Sequence, residues 1–252
     1  MPRPVAVYPA FRRGLERLGP RARRVLDAAT SPFGSILRAE RAGRRIALTF
    51  DDGPDPDVTP RLLAGLADAG AQATFFLLLS RVRRFPRVAA AVADGGHEIA
   101  LHGLDHRRLT TLPLAEARRS ITFARAELSE RLGTEVRWFR PPYGAQTVQV
   151  WQHVRREGME TVLWGPGLAD TEQVAVAERR RRRRARPGDI VLGHDGVADR
   201  DDGVDDPPPP ALDRVAWALD AVREYQDGGL TVGTVGALLD AGTAVKGARF
   251  TR

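Results

Sequence analysis

The sequence predicts an α/β fold, a distorted or partly open (β/α) barrel of about seven parallel strands with its active site at the C-terminal strand ends. Two observations lead to this prediction. From Arg45 onward, short apolar runs of strand length alternate with longer segments of helical periodicity. Residues that can bind a metal or carry a proton directly follow three of these runs, at Asp51, His102 and His194. Because the C-terminal ends of parallel barrel strands meet at one face, we expect these side chains to converge there.

The predicted strands are short runs dominated by apolar residues. Their lengths favour strands over helices, and the segments between them are long enough for the crossovers that parallel strands require. The first run ends on the acidic pair Asp51-Asp52. The predicted strands are Ile46–Phe50, Ala73–Leu79, Glu98–Leu101, Trp138–Arg140, Glu160–Trp164, Asp189–Leu192 and Thr231–Val232.

The helices between these strands have recognisable beginnings and ends. The segment Thr59–Ala69 is expected to start with Thr59 as its N-cap and Pro60 at the first helical position. Leu114–Leu132 is the clearest amphipathic helix, and Gly133 ends it. The other predicted helices are Pro86–Asp94, Val148–Glu157, Glu172–Arg186, Leu212–Tyr225 and Val235–Leu239.

Residues 1–43 are predicted to form an N-terminal helical extension, and residues 44–252 the main domain. Apolar residues of the extension recur at spacings compatible with an amphipathic helix that is interrupted at Gly19-Pro20. We expect this helix to pack over one end of the main domain. The alternative is peripheral contact of the basic helix with an anionic membrane surface.

The composition limits the classes of function. Of the 252 residues, 42% are hydrophobic, which is enough for a sizeable core, and the formal net charge is +7. Lys246 is the only lysine, so the arginine-rich charge indicates compositional bias as much as a polyanionic partner. The absence of cysteine excludes disulfides, thiolate zinc sites and cysteine nucleophiles.

No stretch of the sequence approaches the roughly 20 apolar residues that a membrane-spanning helix needs. The N-terminus lacks the apolar core of a signal peptide, because arginines such as Arg12, Arg13 and Arg17 interrupt it. The sequence therefore predicts a cytoplasmic location, with non-classical export left open. It does not fix the oligomeric state.

Two segments of biased composition stand apart from the strand and helix pattern. Arg179–Arg184 is six consecutive arginines and is expected to be a solvated helix face, with anion or nucleic-acid contact as the alternative. Because no aromatic residues are interleaved with this run, nucleic acid is a disfavoured partner. The acidic segment 199–210, which ends in prolines, is expected to be a plain surface insertion, with flanking of a substrate groove as the alternative.

The histidines His102 and His106 lie four residues apart, a spacing that one helical turn or a tight loop brings to one point. Two imidazoles and one carboxylate of the pair Asp51-Asp52 make a three-ligand set that leaves a coordination position for water, as in catalytic metal sites. The other aspartate can then act as a base on that water. The mixed nitrogen and oxygen ligands favour Zn²⁺, although Co²⁺, Ni²⁺ or Mn²⁺ would also fit.

Five motifs place these residues in a wider pattern. Taken in order, they resemble the polysaccharide deacetylase family, which is carbohydrate esterase family 4 or the NodB-homology domain, over roughly residues 44–240. The motifs are Thr49–Pro54, His102–His106, Arg140–Gly144, the stretch from Trp164 to Asp170, and Ile190–Asp195. The resemblance implies that residues 44–252 form a catalytic domain.

The same resemblance implies a role for each residue of the predicted site. The catalytic group would consist of Asp51 as base, Arg140 as its ion-pair partner, Asp170 as the residue that orients Arg140, and His194 as general acid. The metal ligands would be Asp52, His102 and His106. The contacts to substrate or oxyanion would be Pro142, Tyr143 through its backbone N–H, Trp164, and Leu192 in the pocket for the acetyl methyl group.

The chain departs from the family pattern at two positions. Gly103 follows the first histidine where the family usually has serine or threonine, so a hydroxyl that supports the loop is missing. Thr171 follows Asp170 where the family has tryptophan, so an aromatic wall of the substrate cleft is lost.

The sequence thus predicts a metal-dependent hydrolase that removes N-acetyl groups from an oligosaccharide, polysaccharide or glycoconjugate containing N-acetylglucosamine. The expected partner is this N-acetylated sugar, and the rate is expected to follow a bell-shaped pH profile with Asp51 on the acid limb and His194 on the basic limb. Two alternatives remain open at this point. One is a deformylase or amidase acting on another non-peptide C–N bond, of a lipid-linked sugar or a small cyclic amide, and the other is a non-catalytic carbohydrate-binding protein.

Overall fold

The computed structural model of the protein describes residues 33–207 and 209–251. The amphipathic helix that was predicted for the N-terminal extension lies outside these residues. Within them, strands and helices alternate along the chain and build an α/β fold.

The strands form one parallel sheet and one small antiparallel pair. The strands are β1 (Ser35–Glu40), β2 (Arg45–Asp51), β3 (Thr74–Leu78), β4 (Glu98–Gly103), β5 (Trp138–Phe139), β6 (Glu160–Thr161), β7 (Ile190–His194), β8 (Thr231–Gly233) and β9 (Thr243–Gly247). The parallel sheet has seven strands in the order β6-β5-β4-β3-β2-β7, and β8 pairs with the beginning of β2. β1 pairs antiparallel with β9. Because β6 and β7 end the sheet without pairing as strands, the barrel is partly open, which confirms the predicted fold class.

Helices cover the outside of the sheet. They are α1 (Thr59–Asp68), α2 (Leu79–Arg84), α3 (Pro86–Asp94), α4 (Leu114–Leu132), α5 (Val148–Arg156), α6 (Val176–Arg182), α7 (Arg214–Asp227) and α8 (Val235–Asp240). α2 was not predicted, because its first residue, Leu79, is buried and continues the apolar run of β3. No helix among the residues described is both long and apolar enough to cross a membrane.

The strand β1 corrects the predicted end of the N-terminal extension. Residues 35–40 fall within the predicted helical segment but form a strand that lies across the gap between β6 and β7. The N–H of Leu163, just beyond β6, donates to the carbonyl of Ile36 at 2.8 Å, and the N–H of Ala39 donates to the carbonyl of Gly188, just before β7, at 2.8 Å. The backbone groups that the open sheet leaves available therefore decide the conformation of this segment.

The pleat of β2 separates two sets of side chains. Its even-numbered residues pack toward the helices in the larger apolar cluster. Ala47 instead faces the barrel interior, where a smaller apolar cluster also contains Phe76 of β3 and Ala100 of β4. Because side chains alternate along a strand, Thr49 and Asp51 share the interior face with Ala47. The interior of the barrel is thus apolar at its base and polar at the C-terminal ends of the strands.

The loop between β2 and α1 is held by side-chain hydrogen bonds. Oδ1 of Asp55 accepts from the N–H groups of Asp57 and Val58 at 3.0 Å each. Thr59 was predicted to be the N-cap of α1 but is its first helical residue. Its hydroxyl accepts from the N–H of Asp55 at 2.8 Å and donates to Oδ2 of Asp195 at 2.6 Å. Asp55 therefore satisfies the N–H groups of the two residues before α1, and Thr59 ties the loop to Asp195, which directly follows β7.

Candidate metal centre and active site

Three predicted metal ligands converge at the C-terminal edge of the sheet. Asp52 directly follows β2, His102 lies near the end of β4, and His106 lies in the loop after it. Nε2 of each histidine lies 3.3 Å from Oδ1 of Asp52, and one ligand atom of each residue lies within 4.8 Å of the others. All three side chains are buried, and they are the one group of this kind in the part of the chain that the structure describes.

The hydrogen bonding of these side chains fits a metal site. Nδ1 of His102 lies 2.8 Å from the carbonyl oxygen of Arg140, so the ring donates there and directs the lone pair of Nε2 toward Asp52. Oδ1 of Asp52 is buried and makes no hydrogen bond. A buried carboxylate oxygen that faces two imidazole nitrogens is costly by itself and suits a divalent cation well.

The charges at the three residues also fit a cation. Burial alone would raise the pKa of Asp52, but the neighbouring His106 and His102 lower it well below its ordinary value. Burial lowers the pKa of His106, which favours the neutral imidazole that coordinates metals. Asp52 therefore favours its ionised carboxylate and His106 its neutral imidazole, which are the forms that bind a metal.

The backbone allows two consecutive aspartates to reach the same site. Side chains of neighbouring strand residues normally point to opposite faces of a sheet. Asp52 adopts a left-handed φ of 70°, which ends the alternation of β2 directly after Asp51. As a result Oδ2 of Asp51 lies 3.9 Å and Oδ1 of Asp52 lies 3.3 Å from Nε2 of His102.

Asp51 and Arg140 form a buried ion pair beside the predicted metal ligands. NH1 of Arg140 donates to Oδ1 of Asp51 at 2.6 Å and to the hydroxyl of Thr49 at 2.9 Å, and Nε donates to the carbonyl of Val162 at 3.1 Å. The guanidinium carbon also lies 4.0 Å from the ring centroid of Phe76. No role in the site was predicted for Thr49, although its position two residues before Asp51 on the same strand face was a usable signal.

The structure corrects the predicted role of Asp170. This residue was expected to orient Arg140, but both of its oxygens bond to His194. Oδ1 lies 2.8 Å from Nδ1 of His194, and Oδ2 accepts from the backbone N–H of His194 at 2.8 Å. The physical reason is that the chain after β6 runs beside β7, where the N–H of Leu168 donates to the carbonyl of Leu192 at 2.7 Å. This path brings Asp170 next to His194 at the end of β7.

His194 is held in its charged form. Burial would lower its pKa, but the adjacent Asp170 raises it to about 9. His194 and Asp51 are register partners on the neighbouring strands β7 and β2, so their side chains stand next to each other at the rim of the barrel. A proton donor and a carboxylate therefore face the same small volume.

Tyr143 lies against the metal ligands, and Pro142 precedes it in a tight 3-10 turn. Tyr143 has a left-handed φ of 60°, and its ring centroid lies 4.4 Å from that of His106 and 4.3 Å from the guanidinium carbon of Arg108. Its hydroxyl donates to Oδ2 of Asp206 at 2.7 Å. Burial raises the pKa of this hydroxyl, so Tyr143 stays neutral at physiological pH.

Leu192 and Trp164 also lie at the predicted site. Ile190 packs inside the barrel, so Leu192 and His194, at alternate positions of β7, face the same interior. The ring centroid of Trp164 lies 5.5 Å from the guanidinium carbon of Arg140. Together with Pro142, these side chains supply apolar surface next to the acidic and basic groups.

The backbone at Gly103 explains why the family's hydroxyl is missing there. Gly103 has a φ of 145°, which side chains rarely allow. A Cβ at this position would lie 2.8 Å from the carbonyl oxygen of Asp105. The loop between His102 and His106 is therefore built around glycine, and its support comes from other residues.

Part of that support comes from the acidic segment, which was predicted to be a plain surface insertion. Asp202 of this segment is fully buried, and its carbonyl accepts from the N–H of His106 at 2.9 Å. Its carboxylate binds Nε of Arg81 at 2.8 Å, NH2 of Arg84 at 3.0 Å and the hydroxyl of Ser80 at 2.6 Å. The segment thus flanks the loop between His102 and His106 and is more than a plain surface insertion.

The run Arg179–Arg184 is likewise more than a solvated helix face. Arg179 in α6 and Arg183, the residue that directly follows this helix, are buried, whereas Arg181 is exposed and pairs with Glu178 at 2.7 Å. Residues four apart share one face of a helix. The run of identical arginines therefore has one buried face and one exposed face, which its composition alone does not reveal. The helix itself is also shorter than the predicted segment 172–186.

Asp195 is a buried residue next to the site, and no role was predicted for it. Its N–H donates to the carbonyl of Asp51 at 3.2 Å, and its carboxylate accepts from Thr59. Burial raises the pKa of Asp195 to about 7, against the hydrogen bond from Thr59 that lowers it. A Cβ on Gly53 would collide with this carboxylate, so glycine is required at that point of the loop between β2 and α1.

Comparisons with known proteins agree with this geometry. A family model described as polysaccharide deacetylase matches residues 38–162. The matched range contains the three predicted metal ligands together with Asp51 and Arg140, whereas Asp170 and His194 lie beyond it.

Individual relatives extend the likeness. A peptidoglycan-N-acetylglucosamine deacetylase of Bacillus cereus is 35% identical over 165 residues, which are 62% of this chain and 74% of that protein. A chitooligosaccharide deacetylase of Azorhizobium caulinodans is 34% identical over 169 residues, or 66% of this chain and 80% of that protein. Among solved structures, a mutant of a CE4 family pseudoenzyme with restored enzymatic activity has a TM-score of 0.72 at 26% identity, covering 84% of this chain and 72% of that one.

Proposed function

This chain belongs to the polysaccharide deacetylase family, and on that basis we propose that it is a metal-dependent hydrolase that removes N-acetyl groups from glycans containing N-acetylglucosamine. The observation that carries the proposal is the position of a paired carboxylate, Asp51, and a charged histidine, His194, on adjacent strands beside a three-ligand metal set. Amide hydrolysis needs a base for water and an acid for the leaving amine, and these two residues can supply both.

The metal would be held by Asp52, His102 and His106. A divalent cation there supplies the Lewis acidity that makes water nucleophilic near neutral pH. We propose Zn²⁺, since two imidazoles and one carboxylate are ligands that zinc accepts with a coordination position to spare.

Asp51 would act as the base. Arg140 binds one of its oxygens, and the other faces the metal ligands. The ion pair fixes the direction of the carboxylate, so that the second oxygen can accept a proton from water at the site.

His194 would act as the acid. Asp170 holds Nδ1, which leaves Nε2 as the nitrogen that can donate a proton to the departing amine. Leu192, on the same face of β7, would contact the acetyl methyl group, and the backbone N–H of Tyr143 would stabilise the oxyanion. Loss of one such donor typically costs about 10²–10³ in rate.

The class of substrate is supported by the relatives. The two similar proteins described above are named as deacetylases of peptidoglycan N-acetylglucosamine and of chitooligosaccharides. An N-acetylated amino sugar is the group that we carry over to this chain, and the polymer to which it belongs is left to experiment.

The test is an assay of acetate and formate release from chitooligosaccharides, peptidoglycan fragments, N-formylated sugars and small cyclic amides. We expect acetate from at least one glycan, its loss after chelation and its recovery with added Zn²⁺. Asp51→Asn is the matched control, because it keeps the shape of the base and removes its charge.

Three results would contradict the proposal. Turnover of small amides or formylated sugars alone would make the protein an amidase or deformylase. Binding of glycans without release of acetate would make it a carbohydrate-binding protein. Activity that survives chelation would refute the metal dependence.

A further inference from the structure

We propose that Arg179, from the run of six arginines, is a positioning residue for the acid of the reaction. It clamps the backbone loop that carries Asp170 and thereby fixes the hydrogen bond between Asp170 and His194. This inference rests on the proposed function, because it gives Arg179 a part in the acid step of that reaction.

The clamp consists of one guanidinium and three carbonyls. Arg179 is 5% exposed, and NH1 donates to the carbonyl of Ala169, the residue directly before Asp170. NH2 donates to the carbonyls of Glu172 and Val174 at 3.0 and 3.3 Å. The rigid, planar fork of a guanidinium can bind several carbonyls of one loop at once, whereas an ammonium group has no such fixed geometry.

The clamped loop bends where the clamp holds it. Ala169 has a φ of 54°, a conformation that a residue other than glycine keeps only when its surroundings impose it. Asp170 follows immediately, is buried, and uses both carboxylate oxygens on His194 at 2.8 Å. A small movement of the loop would therefore separate Oδ1 of Asp170 from Nδ1 of His194.

Trp217 of α7 supports the same loop at Leu168, one residue before the carbonyl that Arg179 binds. Its Nε1 donates to the carbonyl of Leu168 at 2.9 Å, and its ring centroid lies 5.9 Å from the guanidinium carbon of Arg179. The guanidinium carbon of Arg183 lies 4.0 Å from the same ring, and Arg183 pairs with Asp220 at 2.7 Å. Arg179 and Trp217 thus hold the backbone just before Asp170, and Arg183 packs against the ring of Trp217.

This arrangement explains why the inward arginines of the run are buried. A solvated face would leave all six side chains in water, and the carbonyls of an irregular loop would then have to be satisfied by water as well. Because the loop carries the carboxylate that charges His194, the clamp contributes to the proton donor and not only to folding.

The experiment compares Arg179→Ala and Arg179→Lys with Arg181→Ala, a variant of an exposed arginine on the same helix. The zinc-loaded proteins are assayed for acetate release from a chitooligosaccharide across neutral and alkaline pH. The pKa of the His194 imidazole is measured in parallel by histidine-selective NMR, which does not depend on turnover. Thermal melting and zinc binding are recorded for every variant.

We expect Arg179→Ala to lower kcat by about 10- to 100-fold with little change in KM, since misplacement of a catalytic group by about 1 Å costs this much. The basic limb of the profile and the pKa of His194 should both move to lower pH. Arg179→Lys should recover part of kcat, and Arg181→Ala should behave as the wild type does.

A wild-type basic limb and a wild-type His194 pKa in folded Arg179→Ala would overturn the inference. Loss of zinc binding in that variant would also overturn it, because the clamp reaches the acid and not the metal ligands. If Arg179→Ala does not fold, Arg179→Lys decides: a lowered kcat with a displaced basic limb supports the clamp, and an unchanged profile refutes it. Failure of the proposed function is a separate result, seen when wild-type protein releases no acetate from any glycan, and the NMR measurement still tests the clamp.

Discussion

Asp51 and Asp52 are neighbours of the same residue type, yet they have different partners. Asp51 pairs with Arg140 at 2.6 Å, whereas Oδ1 of Asp52 lies 3.3 Å from Nε2 of both His102 and His106. The φ of 70° at Asp52 produces this difference, because in a continued strand the side chain of Asp52 would point to the opposite face of the sheet from Asp51. One backbone torsion therefore separates a candidate base from a candidate metal ligand.

The pair formed by Asp170 and His194 leads to a prediction about pH. Burial would lower the pKa of His194, but Asp170 raises it from 6.5 to about 9. We expect the basic limb of kcat near that higher pH, and in Asp170→Asn we expect it about 1–3 pH units lower, since that is the size of shift an opposite charge causes. Profiles of acetate release for the wild type, Asp170→Asn and the exposed control Asp205→Asn measure this.

The same pair affects stability with a defined sign. The pKa of His194 is higher in the folded chain than its ordinary value, so its contribution to the free energy of unfolding is fully present below about pH 6.5 and is lost as the pH rises through about 9. A basic limb in Asp170→Asn that coincides with the wild-type limb would refute the role of Asp170.

At the scale of elements, the metal-site loop depends on a distant segment. The loop between His102 and His106 is built around Gly103, and the carbonyl of Asp202 holds the N–H of His106. Asp202 lies in a short 3-10 turn, and its carboxylate forms ion pairs with Arg81 and Arg84 of α2. The acidic segment, α2 and the metal loop therefore form one unit.

We predict that Asp202→Ala strongly destabilises the protein. Removing one partner of a buried ion pair typically costs about 3–5 kcal/mol, and we expect a value near the lower end because Asp199 and Asp55 remain 3.3 and 3.5 Å from Arg81. Chemical denaturation measures the free energy of unfolding. Asp201→Ala is the control, since the side chain of Asp201 is 76% exposed and we expect a change within about 0.5 kcal/mol. Equal stability of the two variants would show that the buried network is unimportant.

Local sequence patterns predicted most elements but not those that long-range contacts decide. The strands of the main sheet and the helix Leu114–Leu132 follow from period and stop signals, which act within one segment. The acidic segment 199–210 was interpreted as a plain insertion because nothing in its own sequence shows that Asp202 meets Arg81, about 120 residues earlier. The burial of Arg179 was missed for the same reason.

At the scale of the whole molecule, the parallel barrel determines where the site lies. β2 and β7 end side by side, so Asp51 and His194 are register partners although they lie 143 residues apart, from position 51 to position 194. The sequence could predict this convergence, because any parallel barrel brings its C-terminal strand ends to one face. It could not predict β1, whose conformation depends on the gap between β6 and β7 and on pairing with β9.

The central claim is that Asp52, His102 and His106 bind the metal while Asp51 acts on water beside it. Calorimetric titration of metal-free protein with Zn²⁺ tests this most directly. We predict a single equivalent of zinc for the wild type, loss of binding in Asp52→Ala and His106→Ala, and retained binding in Asp51→Asn with acetate release lower by about 10²–10⁴-fold. Zinc binding in Asp52→Ala equal to that of the wild type, or its loss in Asp51→Asn, would contradict the account.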